Sequence, residues 1–194
     1  MKKIILVFLL LTLFLTACGK PTIKPALKDL PEDYTLDAAR ADGCVIHEDL
    51  DITGGTDAWN DFLASAEAKK SAAVRLYFYD TLDPSLYTEE HYQELSKDYP
   101  KVDVWDLSYH KGVYTLTKRV GDEVISQEYA YLLRSEDESL FPSISGYSKR
   151  IVYFLSDTPD ITWMQAVAST LPNTEGEPYR HERVYCDLIQ SENE

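Results

Sequence analysis

Residues 102–133 read VDVWDLSYHKGVYTLTKRVGDEVISQEYAYLL. Two runs, Val102–Tyr109 and Val113–Val120, flank a turn at His110-Lys111-Gly112. Gly121-Asp122 then supplies a tight hairpin turn into a third run, Glu123–Leu133. Connections this short join antiparallel neighbours only, because parallel strands need a long crossover. The stretch therefore predicts a β-meander. Upstream, Cys44–His47 reads as a strand. In Val74–Tyr79, Val74, Leu76 and Phe78 alternate with Arg75, Tyr77 and Tyr79, the pattern of a half-buried strand. Downstream, Arg150–Leu155 is a further strand, and Val184, Cys186 and Leu188 alternate with Arg183, Tyr185 and Asp187 in a last one.

Helical signals lie between these runs. Thr35 caps a short helix to about Ala41, with Gly43 as its stop. Thr56 or Asp57 opens a second, whose Trp59, Phe62, Leu63 and Ala66 fall on one apolar face. Thr88 caps a third, with Tyr92 and Leu95 inward and Pro100 beyond its end. Thr158-Pro159-Asp160 reads as the start of a fourth, running to about Leu171 before Pro172. The expected fold is α+β: a mainly antiparallel sheet of about six or seven strands, with three or four helices packed mostly on one face.

The N-terminus carries an address. Lys2 and Lys3 precede an apolar run, Ile4–Leu15, broken only by Thr12. This is the layout of a secretory signal peptide, and the run is short of the roughly 20 residues that a permanent span needs. Leu15-Thr16-Ala17-Cys18 resembles a lipobox. In substrates of that kind the cysteine thiol receives a diacylglyceryl group, and cleavage leaves the cysteine as the first mature residue. Two acyl chains anchor a soluble domain stably where one does not. The expected organisation is a signal peptide over 1–17, lipidated Cys18 and an extended, Pro-containing tether over 18–31, one domain over 32–190 and a frayed tail over 191–194. Lys20, Lys24 and Lys28 stand close enough to the anchor to meet anionic head groups.

Charge narrows the partners. The chain has 19 Lys+Arg and 33 Asp+Glu, and removing residues 1–17 takes away only Lys2 and Lys3, leaving a net charge of −16. Nucleic acid is disfavoured, since phosphate binding needs a basic face. The expected partners are the membrane, through the anchor, and an extracytoplasmic protein or small ligand. No motif implies a cofactor.

Four sets of residues are candidates for chemistry. Cys44 and Cys186 either form a disulfide, which an extracytoplasmic location permits, or stay as separate buried thiols. Asp49-Leu50-Asp51-Ile52-Thr53-Gly54 matches the start of an EF-hand loop, but position 12 is Asn60 and the preceding flank reads as strand. An acidic turn leading into the Trp59 helix is the simpler reading, with a different Ca²⁺ site on Asp49, Asp51 and Asp57 as the alternative. Tyr77 with Tyr79, and Tyr129 with Tyr131, offer an aromatic sheet face for peptide or sugar, although tyrosine also simply suits a half-exposed strand. His47, His91, His110 and His181 form no zinc-ligand pair, and neither a Gly-x-Ser-x-Gly nor a phosphate-binding glycine loop occurs. Cys44 and His47 stand three apart on a strand and face opposite sides, which argues against a nucleophile–base pair.

The stretch YTLDAARADGCVIHEDLDITGGTDAWNDFLASAEAKKSAAVRLYFYDTLDP (34–84), with DLSYHKGVYTL (106–116) and ITWMQAV (161–167), resembles a family of uncharacterised lipoproteins of Gram-positive Firmicutes, a domain of unknown function. The resemblance implies a Gram-positive cell surface and supplies no active site. Together these readings point to a membrane-anchored extracytoplasmic lipoprotein, most simply a non-catalytic binding or interaction domain. A calcium-binding module or a weakly signalled envelope hydrolase is the alternative.

Overall fold

Lys111 and Gly112 both take positive φ, 50° and 87°, the geometry of a type I′ turn. His110 pairs with Val113 across them. In the computed structural model, which describes residues 21–49, 51–121, 123–138, 146–172 and 176–190, this hairpin is the middle of a larger sheet. The predicted signal peptide, Cys18 and the frayed tail lie outside the described residues. The strands are β1 (Val45–Glu48), β2 (Asp51–Gly54), β3 (Ala72–Asp80), β4 (Lys101–His110), β5 (Val113–Val120), β6 (Glu123–Tyr129), β7 (Tyr131–Glu138), β8 (Tyr147–Ser156) and β9 (His181–Gln190). The α-helices are α1 (Leu36–Ala41), α2 (Thr56–Glu67), α3 (Glu89–Leu95) and α4 (Trp163–Ala168). Among the described residues no helix is long and apolar enough to cross a membrane.

The fold is α+β and mainly antiparallel. Its nine described strands form two sheets, of order β2-β1-β3-β4-β5-β6 and β7-β8-β9. Only β1 and β3 pair in parallel. This corrects the expected single sheet of six or seven strands at two places. Asp51–Gly54 is not a turn but an edge strand on β1. The third run of the meander is not one strand: it breaks at Ala130, whose N–H donates to Asp157 Oδ1, and the chain passes from the large sheet to the small one. The fourth helix is also shorter than expected. It starts at Trp163 rather than at Pro159, and Thr162 caps it, with Gln165 completing a capping box.

Helices cover both outer faces, not one. The strands of the large sheet are apolar on both sides: Val45, Val74, Leu76, Leu107 and Leu116 join one core cluster, whereas Ile46, Tyr77 and Val104 join another. Strand β3 is thus buried on both faces rather than half-buried, and each face needs a cover. Helix α2 and the small sheet cover the first face, with Trp59 and Phe62 packed among Leu76, Leu107, Leu116, Leu155 and Val184. Helix α1 covers the second. Helix α4 closes the outer face of the small sheet, with Ala166 and Trp163 against Val152, Phe154 and Cys186. Helix α3 buries no residue.

The expected tether is part of the fold. Leu27 and Leu30 are buried in the α1 cluster. Arg75 Nη2 donates to the carbonyl of Pro25 at 2.7 Å, and Arg119 Nη1 to that of Leu30 at 3.0 Å. Arg75 is itself fixed by a two-pronged ion pair with Asp106, at 2.7 and 2.9 Å. A buried arginine held by a carboxylate spends its spare donor on the strap.

Gly55 caps α2 at φ 73°, and a Cβ there would stand 2.1 Å from the carbonyl oxygen of Cys44. Only glycine lets the helix start against β1. Gly55→Ala should therefore cost about 3 kcal/mol or more. Gly43→Ala, at the same φ but with nothing within 4 Å, should cost about 1 kcal/mol. Urea midpoints of the two variants measure the difference. Equal costs would mean that α2 can back away from β1 freely.

Candidate functional site

The aromatic face does not assemble. Tyr77 is 1% exposed and its hydroxyl donates to the carbonyl of Tyr34. Tyr79 looks onto an open groove beside α1. Tyr129 is 3% exposed in the core between the sheets, whereas Tyr131 is 39% exposed on the small sheet. The break at Ala130 separates this second pair.

The proposed calcium carboxylates also part. Asp49 accepts from the backbone N–H and hydroxyl of Thr81. Asp51 lies on the edge strand β2, near enough to Asp187 to help raise its pKa. Asp57 stands in the first turn of α2. Among the described residues, no group of three or more His, Cys, Asp or Glu is placed to hold a metal ion. The bridge between Cys44 and Cys186 does not form either. Both are free and buried, in different clusters: Cys44 under α1 beside the Tyr34 hydroxyl, Cys186 under α4.

A different constellation comes together where the two sheets meet. The parallel pairing of β1 and β3 sets His47 opposite Phe78, and the antiparallel pairing of β3 and β4 sets Phe78 opposite Asp103. These three form one row across three strands. Asp80 and Trp105 flank the row on the same face, since strand residues two apart point the same way. Strand β9 faces them with Glu182, Arg183 and Cys186, and Asp49 closes one end. The result is a cleft of about 160 Å³.

Its floor is aromatic and its rim is charged. The His47 ring stacks on Phe78 at 4.4 Å, with the edge of Tyr185 at 5.7 Å. Phe78 packs on Trp105 at 4.3 Å. Lys118 Nζ lies 3.9 Å from the Trp105 ring centroid and pairs with Glu182 at 2.6 Å, tying β5 to β9. His47 is 4% exposed, and its Nε2 has no hydrogen-bond partner.

Burial, helped by the positive charge of Arg183, pulls the His47 pKa down from 6.5 to about 3, so the ring is neutral at physiological pH. Burial, then repulsion by Asp49 and Asp103, raises the pKa of Asp80, with Arg183 and Lys101 partly offsetting them. Burial also raises the Cys186 thiol, which keeps it protonated. The lining thus offers hydrogen-bond acceptors and negative charge but no activated nucleophile.

Comparison with known proteins finds no family model, no curated protein and no solved structure that matches this chain.

Sequence reasoning missed Asp80, Asp103, Trp105, Glu182 and Arg183 as a group, and met His47 only as a neighbour of Cys44. One local signal was available: His47 follows Val45-Ile46 in a run buried on both faces, an unusual place for an imidazole.

Because the folded pKa of His47 lies below its unfolded value, the unfolded chain takes up the proton first as pH falls. The contribution of a neutral His47 is complete above about pH 6.5 and is lost progressively towards pH 3. His47→Phe should hold stability at pH 7 to within about 1 kcal/mol, since an apolar ring replaces an unpaired polar one. It should then lose less than the unsubstituted protein on acidification, by on the order of 3 kcal/mol at about pH 4. Urea unfolding of both proteins across this range measures it. Parallel pH profiles would show that His47 titrates normally.

Proposed function

We propose that this chain is a lipid-anchored, extracytoplasmic binding protein of a Gram-positive cell surface, and that its ligand occupies the cleft between the two sheets. The address rests on Leu15-Thr16-Ala17-Cys18 and on the resemblance of residues 34–84 to a lipoprotein family. The observation that carries the binding role is the small cleft between the sheets, where an aromatic floor of His47, Phe78 and Trp105 meets a rim of Asp49, Asp80, Asp103, Glu182 and Arg183. Binding is favoured over catalysis by the same chemistry. A histidine this far below neutral pKa is a poor general acid, and a protonated buried thiol is a poor nucleophile.

The docked strap adds a constraint on placement. Only Gly19 and Lys20 separate Cys18 from Pro21, where the described chain begins, so acyl chains on Cys18 would hold the domain within roughly 10 Å of the bilayer surface.

Two measurements test the proposal. Cys18→Ser should abolish membrane fractionation and labelling by palmitate; retention of both would remove the anchor. Thermal unfolding of residues 21–194 with a panel of ions, amines, peptides, glycans and metabolites should show a concentration-dependent rise with at least one ligand. At a hundredfold excess over Kd the gain is about 2.7 kcal/mol. A rise that survives His47→Phe undiminished would place the ligand outside the cleft.

A further inference from the structure

We infer that one end of the large sheet is a basic foot on which the domain rests against anionic phospholipid. The loop between α2 and β3 and the turn between β4 and β5 lie side by side there. Ala72 pairs with Tyr109, and the Ser71 hydroxyl and His110 Nδ1 share a hydrogen bond of 2.7 Å. Together the two connections expose Lys69, Lys70 and Lys111. The strap enters at the same end. Pro21, Thr22 and Ile23 line a crevice with Ala73 and Ser108, themselves a cross-strand pair next to that end, and exposed Lys24 follows. Four lysines from three segments thus stand around the place where the chain arrives from Cys18. Among the described residues none of the four is in an ion pair. Lys20, between Cys18 and the strap, adds a fifth.

The net charge of the mature chain, −16, would by itself repel such a surface. Its distribution removes the conflict. The segment from Asp80 to Lys101, at the other end of β3, carries six carboxylates and two lysines. Strand β3 runs from Ala72 to Asp80 and sets the two ends roughly 26 Å apart at about 3.3 Å per residue. That is about three Debye lengths at physiological salt, so the far carboxylates are screened from a bilayer that the foot touches. At the foot itself, Glu67 precedes the first loop and Glu128 stands on β6, fewer than the lysines. Asp157, at the corner where β6 ends, is paired with Arg180. The inference rests on the lipid anchor proposed for Cys18, which puts the bilayer within reach of these lysines, and adds which side of the domain faces it. The carboxylate rim of the cleft, Asp80 with Asp103, lies towards the far end.

Vesicle sedimentation tests this on the mature chain, residues 18–194, without acyl groups, so the outcome does not depend on Cys18. The chain should bind vesicles of phosphatidylglycerol and phosphatidylcholine in equal parts but not phosphatidylcholine alone. Sodium chloride at about 0.5 M should release it. Lys69→Asn with Lys70→Gln should weaken binding about twenty-fivefold, at about fivefold per lysine. Adding Lys111→Asn should bring it down to the level on phosphatidylcholine. Asparagine tolerates the positive φ of Lys69 and Lys111, and all three lysines are exposed, so the variants should fold. Lys97→Gln with Lys101→Gln removes the same charge from the far end and should leave binding unchanged. In amide NMR with a gadolinium-chelating lipid in the vesicles, residues 67–72 and 109–113 should broaden before residues 83–98. Equal losses from the two lysine pairs would overturn the foot, because any positive charge would then serve. No binding to phosphatidylglycerol vesicles would overturn it too, while leaving the anchor, which Cys18→Ser tests, untouched. Binding to soluble polyglycerol phosphate without binding to vesicles would overturn the bilayer as the partner and put a soluble polyanion in its place.

Discussion

The structure depends on the seat of Trp59. Its indole stacks on Tyr185 at 4.7 Å and 9°, meets Tyr153 edge-on at 5.3 Å and lies 5.8 Å from Phe62. Tyr153 and Tyr185 belong to the small sheet, and Phe62 shares α2, which packs on the large one. One side chain therefore joins three elements. Its Nε1 is buried without a partner, so ring stacking and buried area alone hold it. Large aromatic surfaces dominate such contacts, and offset or edge-on pairs add about 0.5–1.5 kcal/mol beyond area burial. The small sheet is apolar on both faces: α4 covers one, and α2 with Trp59 covers the other.

The cleft is a consequence of this seat. Two twisted sheets that meet over a helix diverge beyond it, and His47, Phe78, Asp103, Glu182 and Arg183 line the place where they part. Towards Trp59 the space is filled by apolar side chains, and towards solvent by charge. His47 stands at the boundary, touching Phe78 on one side and Tyr185 on the other. Its burial, neutrality and unpaired nitrogen all follow from that position. On the opposite face of the large sheet, Arg75 and Asp106 fix the strap, which brings residues 25–30 onto the body of the domain.

Much of this was legible locally. Lys111-Gly112 marked its hairpin because the turn needs two residues at positive φ. Thr35 and Thr88 cap their helices as read, each accepting from the third residue on. The Trp59, Phe62 and Ala66 stripe is the buried face of α2. Thr162 and Gln165 were equally readable as a capping box but were overshadowed by Pro159. What escaped was non-local. No glycine or proline marks Ala130, where a continuous β-rich run changes sheets, so Tyr129 and Tyr131, which share a face by parity, end in different surroundings. The row His47, Phe78, Asp103 exists only once β1 is known to pair with β3 and β3 with β4, and Arg183 joins it only through packing of the small sheet. Sequence spacing carries no trace of either.

The central claim is that Trp59 makes the two sheets a single cooperative body, with the cleft at their junction. The three tryptophans sample its parts separately: Trp105 on the large sheet, Trp59 between the sheets, Trp163 on the outer face of the small one. Fluorine NMR of fluorotryptophan-labelled protein through a urea titration would follow all three in one sample. The account predicts that the native resonances disappear together at one midpoint. Loss of the Trp163 signal at a midpoint clearly separate from that of Trp105 would contradict it, because the sheets would then be independent units and the cleft between them no fixed site.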